Sequence, residues 1–256
     1  MKALKFKLSG NTAFFKKPDV NSCVYFTYNC IHKVALLGML GAVLGYAGYN
    51  NSKMKFEMKG KKSKEKEGLP EFYEKLKNLK VSIVALNEKG FVPKKIQTFN
   101  NSVGYASQEQ GGNLIVKEQW LYNPSWDIYV LLDDEEAGKI ADYITSNKAV
   151  YLPYLGKNDH YADITEAEVI EISESSAFTK IDSLCLKDSF KFDIPEDDDF
   201  DSDEVVDVFK YEEKLPCGLD EKTGMYTYKT FIYTNMDAAT KNQTVYKCEN
   251  RNIVFY

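Results

Sequence analysis

Apolar and polar side chains alternate along Ala3-Leu4-Lys5-Phe6-Lys7-Leu8, the two-residue period of a half-buried strand, which Ser9-Gly10-Asn11 ends. A different pattern runs from Val34 to Tyr49, sixteen residues without a charge in a chain that is 28% charged. Its glycines, Gly38, Gly41, Gly45 and Gly48, are three, four and three apart, so on a helix they share one stripe. Leucines and valines fill the neighbouring and opposite faces, which predicts a helix that is apolar all round with one side bare of side chains. Each interior glycine costs a helix about 1 kcal/mol relative to alanine. Four on one stripe therefore imply a close neighbour: a sheet, another helix, a lipid-embedded partner or a ligand backbone. Gly41-x-x-x-Gly45 matches a transmembrane dimer face. The run is shorter than the roughly 18 residues a span requires, so a buried core helix is expected.

Aromatics adjoin Lys16, Lys17 and Pro18 in the stretch that follows the first strand, and Val24 to Tyr28 reads as an extended aromatic segment. Phe72, Leu76 and Leu79 have helical spacing, and Val81 to Leu86 reads as a second strand. Gln97 to Gly112 is polar and punctuated by glycine, and Asn113 to Tyr122 is extended, which predicts a projecting hairpin or long loop with paired flanks. Trp126 to Leu132 is a third strand. Asp133 is expected to cap a helix through Ser146, with acids in its first turn and Ala137, Ile140, Ala141 and Ile144 as its apolar face. Ala149 to Leu152 reads as a fourth strand. The class is α+β, and the order over residues 3–155 is the βαββαβ ferredoxin-like (RRM-like) order. Two helices then share one face of a four-stranded sheet, and the glycine stripe is expected to let the first lie close to that sheet. Short strands at Val169–Ile172, Met225–Tyr233, Thr244–Tyr246 and Ile253–Tyr256 predict a β-rich region over 161–256, behind a first unit over 1–160.

Composition narrows the functions. A chain of 256 residues with 44% apolar content builds a real core, as one large or two modest domains. Its five cysteines form no C-x-x-C and follow no secretion signal, so reduced thiols in a cytoplasmic protein are expected. With only His32 and His160 as histidines, no metal site and no cofactor is expected. The first hundred residues hold 19 lysines and 7 acids, whereas the remainder holds 14 basic and 31 acidic residues. A basic front half suits a polyanion, and equally two solvated surfaces of opposite sign that dock neighbouring subunits. Arg251 is the only arginine, which leaves backbone tracking by lysine rather than guanidinium readout of bases. Asn50 to Gly68, with seven lysines and three glutamates, reads as a solvated loop. Asp193 to Asp207, with nine acids in fifteen residues, reads as an exposed acidic loop out of register for an EF-hand. The third strand carries no basic-glycine-aromatic signature, so stacking on the sheet face is not expected.

Three stretches in order carry a resemblance: Gly10-x-x-Ala13-x-Phe15-Lys16-x-Pro18, the helix Ala35 to Tyr46, and Tyr154-Leu155-Gly156-Lys157. Together they resemble the fifth CRISPR-associated (Cas) protein family, subunits of the type I crRNA-guided surveillance complex Cascade, nearest the type I-B branch. The resemblance implies a ferredoxin-like palm with a β-hairpin thumb within about Gln97 to Lys117, here followed by the β-rich C-terminal region. It implies a subunit of antiviral defence that caps the 5′ handle of crRNA. Its partners would be the backbone-forming subunit, the large subunit and, through the complex, target DNA, with no membrane. Carried onto this chain, handle contacts fall on Asn11, Phe15, Lys16 and Lys17 in the first loop. Lys33 would approach a phosphate at the helix N-terminus, where unpaired N–H groups favour anions. Lys157 and Asn158 would close the site, and Tyr105, Gln108 and Lys117 belong to the thumb. The family usually carries prolines just before the first helix, where this chain reads Asn29-Cys30-Ile31-His32.

One branch of that family cleaves precursor crRNA without metal, resembling an acid–base ribonuclease built on a tyrosine and an adjacent lysine–histidine pair. Such cleavage needs a base for the 2′-OH and an acid or cation for the leaving group. This chain has Tyr46, but the strand after the thumb reads Val116-Lys117-Glu118, and His32-Lys33 is the only such neighbour pair. A non-catalytic binding subunit is expected, with the endoribonuclease as the alternative.

Overall fold

The computed structural model describes residues 1–18, 23–49, 68–100, 104–105, 108–193 and 207–256. The lysine-rich stretch after the glycine helix (all but Gly68) and the acidic run between Asp193 and Asp207 lie outside them. The fold is mixed α+β, mostly strands, with three α-helices among the described residues. The first part comprises β1 (Lys2–Ser9), β2 (Thr12–Ala13), α1 (Lys33–Leu44), α2 (Glu71–Leu76), β3 (Val81–Ala85), β4 (Lys94–Asn100), β5 (Ile115–Tyr122), β6 (Ser125–Leu131), α3 (Glu135–Thr145) and β7 (Asp163–Glu171). Strand β1 pairs antiparallel with β6 on one side and β7 on the other, and β3 completes the order β3-β6-β1-β7.

Alternation decides the two faces of this sheet. Leu4, Phe6 and Leu8 of β1, with Ile128 and Val130 of β6, are buried in one cluster with Leu36, Leu37 and Leu40 of α1 and Ile140 of α3. The opposite face sends Ala3, Tyr129 and Leu131 into a second cluster. Helix α3 starts one residue later than the sequence predicts. Asp134 is its cap, its Oδ1 accepting from Ala137 N at 2.7 Å, while Asp133 pairs with Lys80.

Two expectations are corrected. Residues 149–152 form no strand: Val150 N and Tyr151 N donate to the carbonyls of Val43 and Ala42 at the end of α1. The fourth strand of the sheet is β7 instead. Nor does the glycine stripe face the sheet. Helix α1 ends at Leu44, and Gly45 caps it in the left-handed conformation, φ 80°. Gly38 and Gly41 face α2, where a Cβ on Gly41 would lie 2.5 Å from Phe72 Cβ, and Gly48 has open space. The close neighbour is a helix.

The remaining strands are β8 (Ser173–Glu174), β9 (Cys185–Leu186), β10 (Phe190–Phe192), β11 (Lys210–Leu219), β12 (Tyr226–Thr234), β13 (Ala238–Thr240), β14 (Tyr246–Cys248) and β15 (Arg251–Ile253). Hairpin β11–β12, joined by β9, packs Leu215, Leu219 and Phe231 into the main core. Ile253 and Phe255 cover the second face of the four-stranded sheet. There Arg251 donates to Asp127 and to Tyr129 Oη at 3.1 Å, and Lys5 pairs with Glu168 and Glu249. That face is closed by the chain's own residues.

Candidate nucleic-acid interface

The loop after β1 and the loop after α3 are locked together by two glycines. Phe14 N donates to Leu155 O at 3.0 Å, and Gly156 follows with φ 88°. A Cβ on Gly156 would lie 2.1 Å from Phe14 O, and one on Gly10 2.8 Å from both Tyr161 O and Leu155 Cδ1. Both positions need the smallest residue because backbone approaches backbone. The helix α1 closes the third side, with Phe15 edge-on to its capping residue His32. The three stretches singled out in the sequence therefore meet in space.

Several predicted contacts have other roles. Phe15 is buried, packed against His32 and Trp126 at ring distances of 6.2 and 6.1 Å, so it is a core aromatic. Lys33 turns away from the loop, its Nζ donating to Tyr256 O at 2.9 Å, and burial lowers its pKa. One of the first-turn N–H groups of α1, that of Ala35, is already taken by the helix's own cap. His32 Nδ1 accepts from Ala35 N, and burial lowers the imidazole pKa to about 3, so the cap is neutral. Lys17 is paired with Glu213 at 2.7 Å. Asn11 and Asn158 are exposed, and Asn11 O accepts from Asn123 N.

Lys16 remains at the surface with its Nζ 3.8 Å from the centre of the Tyr25 ring. Tyr25 N in turn donates to Lys117 O, which joins the first loop to the middle of the β4–β5 hairpin. Tyr105, 79% exposed, and Gln108 lie beyond the Asn100–Ile115 end of that hairpin's ladder. Midway along the hairpin, buried Glu118 accepts from Trp120 Nε1 at 2.8 Å and from Lys157 Nζ at 3.4 Å. Burial pulls the Lys157 ammonium down, but Asp159 and Glu118 outweigh it and raise its pKa. Beneath it, His160 bonds Thr12 Oγ1 at 2.6 Å and stands edge-on to Trp120.

Beside α1 these loops border a cleft of about 620 Å³. Ala35, Gly38 and Ala42 form its floor. Tyr46, Tyr49, Tyr151, Tyr154 and Tyr226 stand around it, and Lys16 is the one charged side chain among its described lining residues apart from neutral His32. Tyr46 Oη donates to Glu136 at 2.5 Å; burial first and this bond second push its pKa up to about 12. Sequence reasoning singled out Tyr46 for another chemistry and Tyr154 as part of a motif, and passed over the other three tyrosines. Tyr151 stood in what read as a strand, and Tyr226 lies far along the chain. Among the described residues no group of three His, Cys, Asp or Glu side chains is placed to hold a metal, and no helix is long and apolar enough to cross a membrane.

No protein-family model matches the sequence, and no curated protein matches it. Solved structures do. A chain of a CRISPR RNA-guided surveillance complex superposes with TM-score 0.51 at 14% identity, over 93% of this chain and 91% of that one. A CRISPR protein from Archaeoglobus fulgidus gives TM-score 0.48 at 10% identity, over 100% and 98% of the two chains. A chain of a type III-B Cmr-beta complex bound to cognate target RNA gives 0.48 at 14%, over 93% and 86%. The first of these shows that the chain has the fold of a CRISPR surveillance-complex subunit.

Proposed function

We propose that this protein is an RNA-binding subunit of a CRISPR surveillance complex. In this reading it is a member of the fifth Cas family, of the type I-B branch, that caps the 5′ handle of crRNA. The sheet with α1 and α3 serves as a ferredoxin-like palm and the β4–β5 hairpin as its thumb. The backbone-forming and large subunits of Cascade are its protein partners, and target DNA reaches it through the complex. One observation carries the reading. Backbone contact between Gly156 and Phe14 brings three stretches distant in sequence to the mouth of one cleft that holds a lysine and, among its described lining residues, no acid. The closed second face of the sheet fits this arrangement, since it leaves loops and hairpin for the ligand.

The subunit is non-catalytic in this reading. His32 is buried with Nδ1 engaged as a helix cap, and Tyr46 Oη is tied to Glu136, so neither is free to move a proton on RNA. Co-expression with a repeat array and the other subunits tests the proposal. Purified complex should contain a short RNA of uniform 5′ end, protected by this chain. Charge reversal at Lys16 should weaken handle binding and flatten its salt dependence by about one unit of log–log slope per lost contact. A complex that assembles fully without this chain and leaves the handle equally protected would refute the reading.

A further inference from the structure

We infer that the outer edge of β7 is a docking surface for another protein, which adds a basic, extended segment there as a fifth strand of the four-stranded sheet. No described residue of β7 lines the cleft, so this role holds whether or not the chain binds RNA.

The two edges of the sheet end differently. At β3 the chain closes its own edge: Val81 and Tyr256 exchange backbone bonds at 3.3 and 3.0 Å, and Leu184 N donates to Ile83 O at 2.8 Å. At β7 the ladder itself tells which groups face outward. Ile172 N donates to Met1 O, whereas Lys2 O accepts from Leu132 N on the opposite side. Lys2 therefore turns away from its β7 partner Glu171. Alternation then points Glu171 and Val169 away from β1, while Ile170 and Glu168 face it. Among the described residues nothing bonds to the outward N–H and C=O of Val169 or Glu171. Such a row of unpaired backbone groups is a template for another strand. Val169, 46% exposed, adds an apolar side chain for that strand to cover.

Charge selects the partner. From Asp159 to Thr179 the chain carries six acids and no lysine or arginine. Four of the acids, Asp163, Glu166, Glu168 and Glu171, belong to β7 and are exposed. The β1 lysines that pair with two of them lie deeper. The Lys5 and Lys7 side chains are 18% and 36% exposed, against 54% for Glu168 and 69% for Glu166, so the outer layer is carboxylate. A second copy would set these acids against its own, and like charges across a ladder repel. The bulge at Glu166 also interrupts the flat run that self-pairing needs. A polyanion is repelled by the same layer. A lysine- or arginine-rich extended segment meets the acids and has the regular stretch from Ala167 to Glu171 to pair with.

The full chain and an amidated nonapeptide of alternating lysine and valine, labelled with fluorescein at its N-terminus, provide the test. One control peptide carries glutamate in place of lysine. A second is N-methylated at two adjacent central residues, which removes a donor from each of its edges. The lysine peptide should bind and slow amide exchange over residues 167–171. Both controls should bind about tenfold more weakly or worse. Val169→Pro removes an outward N–H and leaves the ladder to β1 whole, so it should weaken the lysine peptide by a similar factor. Because proline can also disturb the strand, the double variant Asp163→Lys with Glu171→Lys supplies a second reading on exposed side chains. It should weaken the lysine peptide and strengthen the glutamate peptide while thermal unfolding stays unchanged. A Kd for the lysine peptide above about 1 mM, equal affinity for either control, or exchange protection confined to other segments would overturn the docking surface. Self-association of the chain that disappears in Val169→Pro would overturn it too, by putting a second copy on this edge. None of these outcomes touches the RNA-binding reading, which is tested on Lys16 and the handle.

Discussion

Gly156 meets the backbone of Phe14 so closely that a Cβ would lie 2.1 Å from the Phe14 oxygen, and its φ of 88° is itself costly for any L side chain. The contact joins the loop after β1 to the loop after α3 and so shapes the mouth of the cleft. Gly156→Ala carries about 1–2 kcal/mol for the left-handed conformation alone, with the clash added. Unfolding in urea should show a loss of more than about 2 kcal/mol, and RNA affinity should fall with it. A variant as stable as the wild type would mean that the two loops are not held in this way.

Two glycines in helices predict opposite outcomes for the same substitution. Gly138 in α3 has open space around it, so Gly138→Ala should stabilise by about 0.5–1 kcal/mol through helix propensity. Gly41→Ala gains the same propensity but sets a Cβ 2.5 Å from Phe72 Cβ, an atom too near the α2 backbone to swing aside. It should destabilise by about 1–3 kcal/mol, the usual cost of overpacking. Thermal melts of the two variants side by side check the sign of each.

Much of the first part of this fold is legible in the residues, and the losses have physical causes. Strand β1 announces itself by alternation and α3 by its acids and its apolar face. Strand β7 does so only at its end, read as Val169–Ile172, because Glu166 sits at φ 54° in a bulge where the register shifts between Lys5 and Lys7. Its half-buried residues, Ile164, Ala167 and Ile170, then recur every third position instead of every second. Strand β11 was missed for a related reason: Pro216 and Gly218 flank its own bulge, and its glutamates look solvated until their lysine partners are seen. The lysines of the site are readable as charge, but which of them is already paired is a tertiary fact. Lys17 and Lys16 are neighbours in sequence, yet only Lys17 meets Glu213.

Glu213 also accepts from Asn29 N at 3.0 Å and from Tyr211 Oη, so its carboxylate satisfies three donors. Removing it strands a backbone N–H and a phenol as well as the ammonium, whereas removing Lys17 leaves the other two bonds intact. Unsatisfied buried donors cost about 1–3 kcal/mol each, and a partly exposed ion pair about 1 kcal/mol or less. Glu213→Ala should therefore destabilise by about 2–5 kcal/mol and Lys17→Ala by about 1 kcal/mol. Equal losses in urea unfolding would show that the carboxylate serves the ion pair alone.

Acid should weaken the protein through its buried imidazoles before the carboxylates titrate. Burial lowers the His32 pKa from 6.5 to about 3, so between those values the unfolded chain binds a proton that the folded chain does not. Stability then rises with pH across this window and is lost as pH falls through it, by at most 1.36 kcal/mol per unit for one group. Between pH 7 and pH 5 the His32 contribution amounts to about 2 kcal/mol. Burial lowers the His160 pKa too, which adds a loss of the same sign. His32→Asn keeps a side-chain oxygen at the cap position of α1. It vacates the ring space between Phe15, Tyr28 and Tyr226, so it should be less stable at pH 7. Its loss between pH 7 and pH 5 should nevertheless be smaller than that of the wild type by about 2 kcal/mol. Urea unfolding at both pH values separates the two effects, because packing changes the level and titration changes the slope. Parallel slopes for wild type and variant would place a protonated imidazole inside the folded state, and with it a charge at the N-terminus of α1.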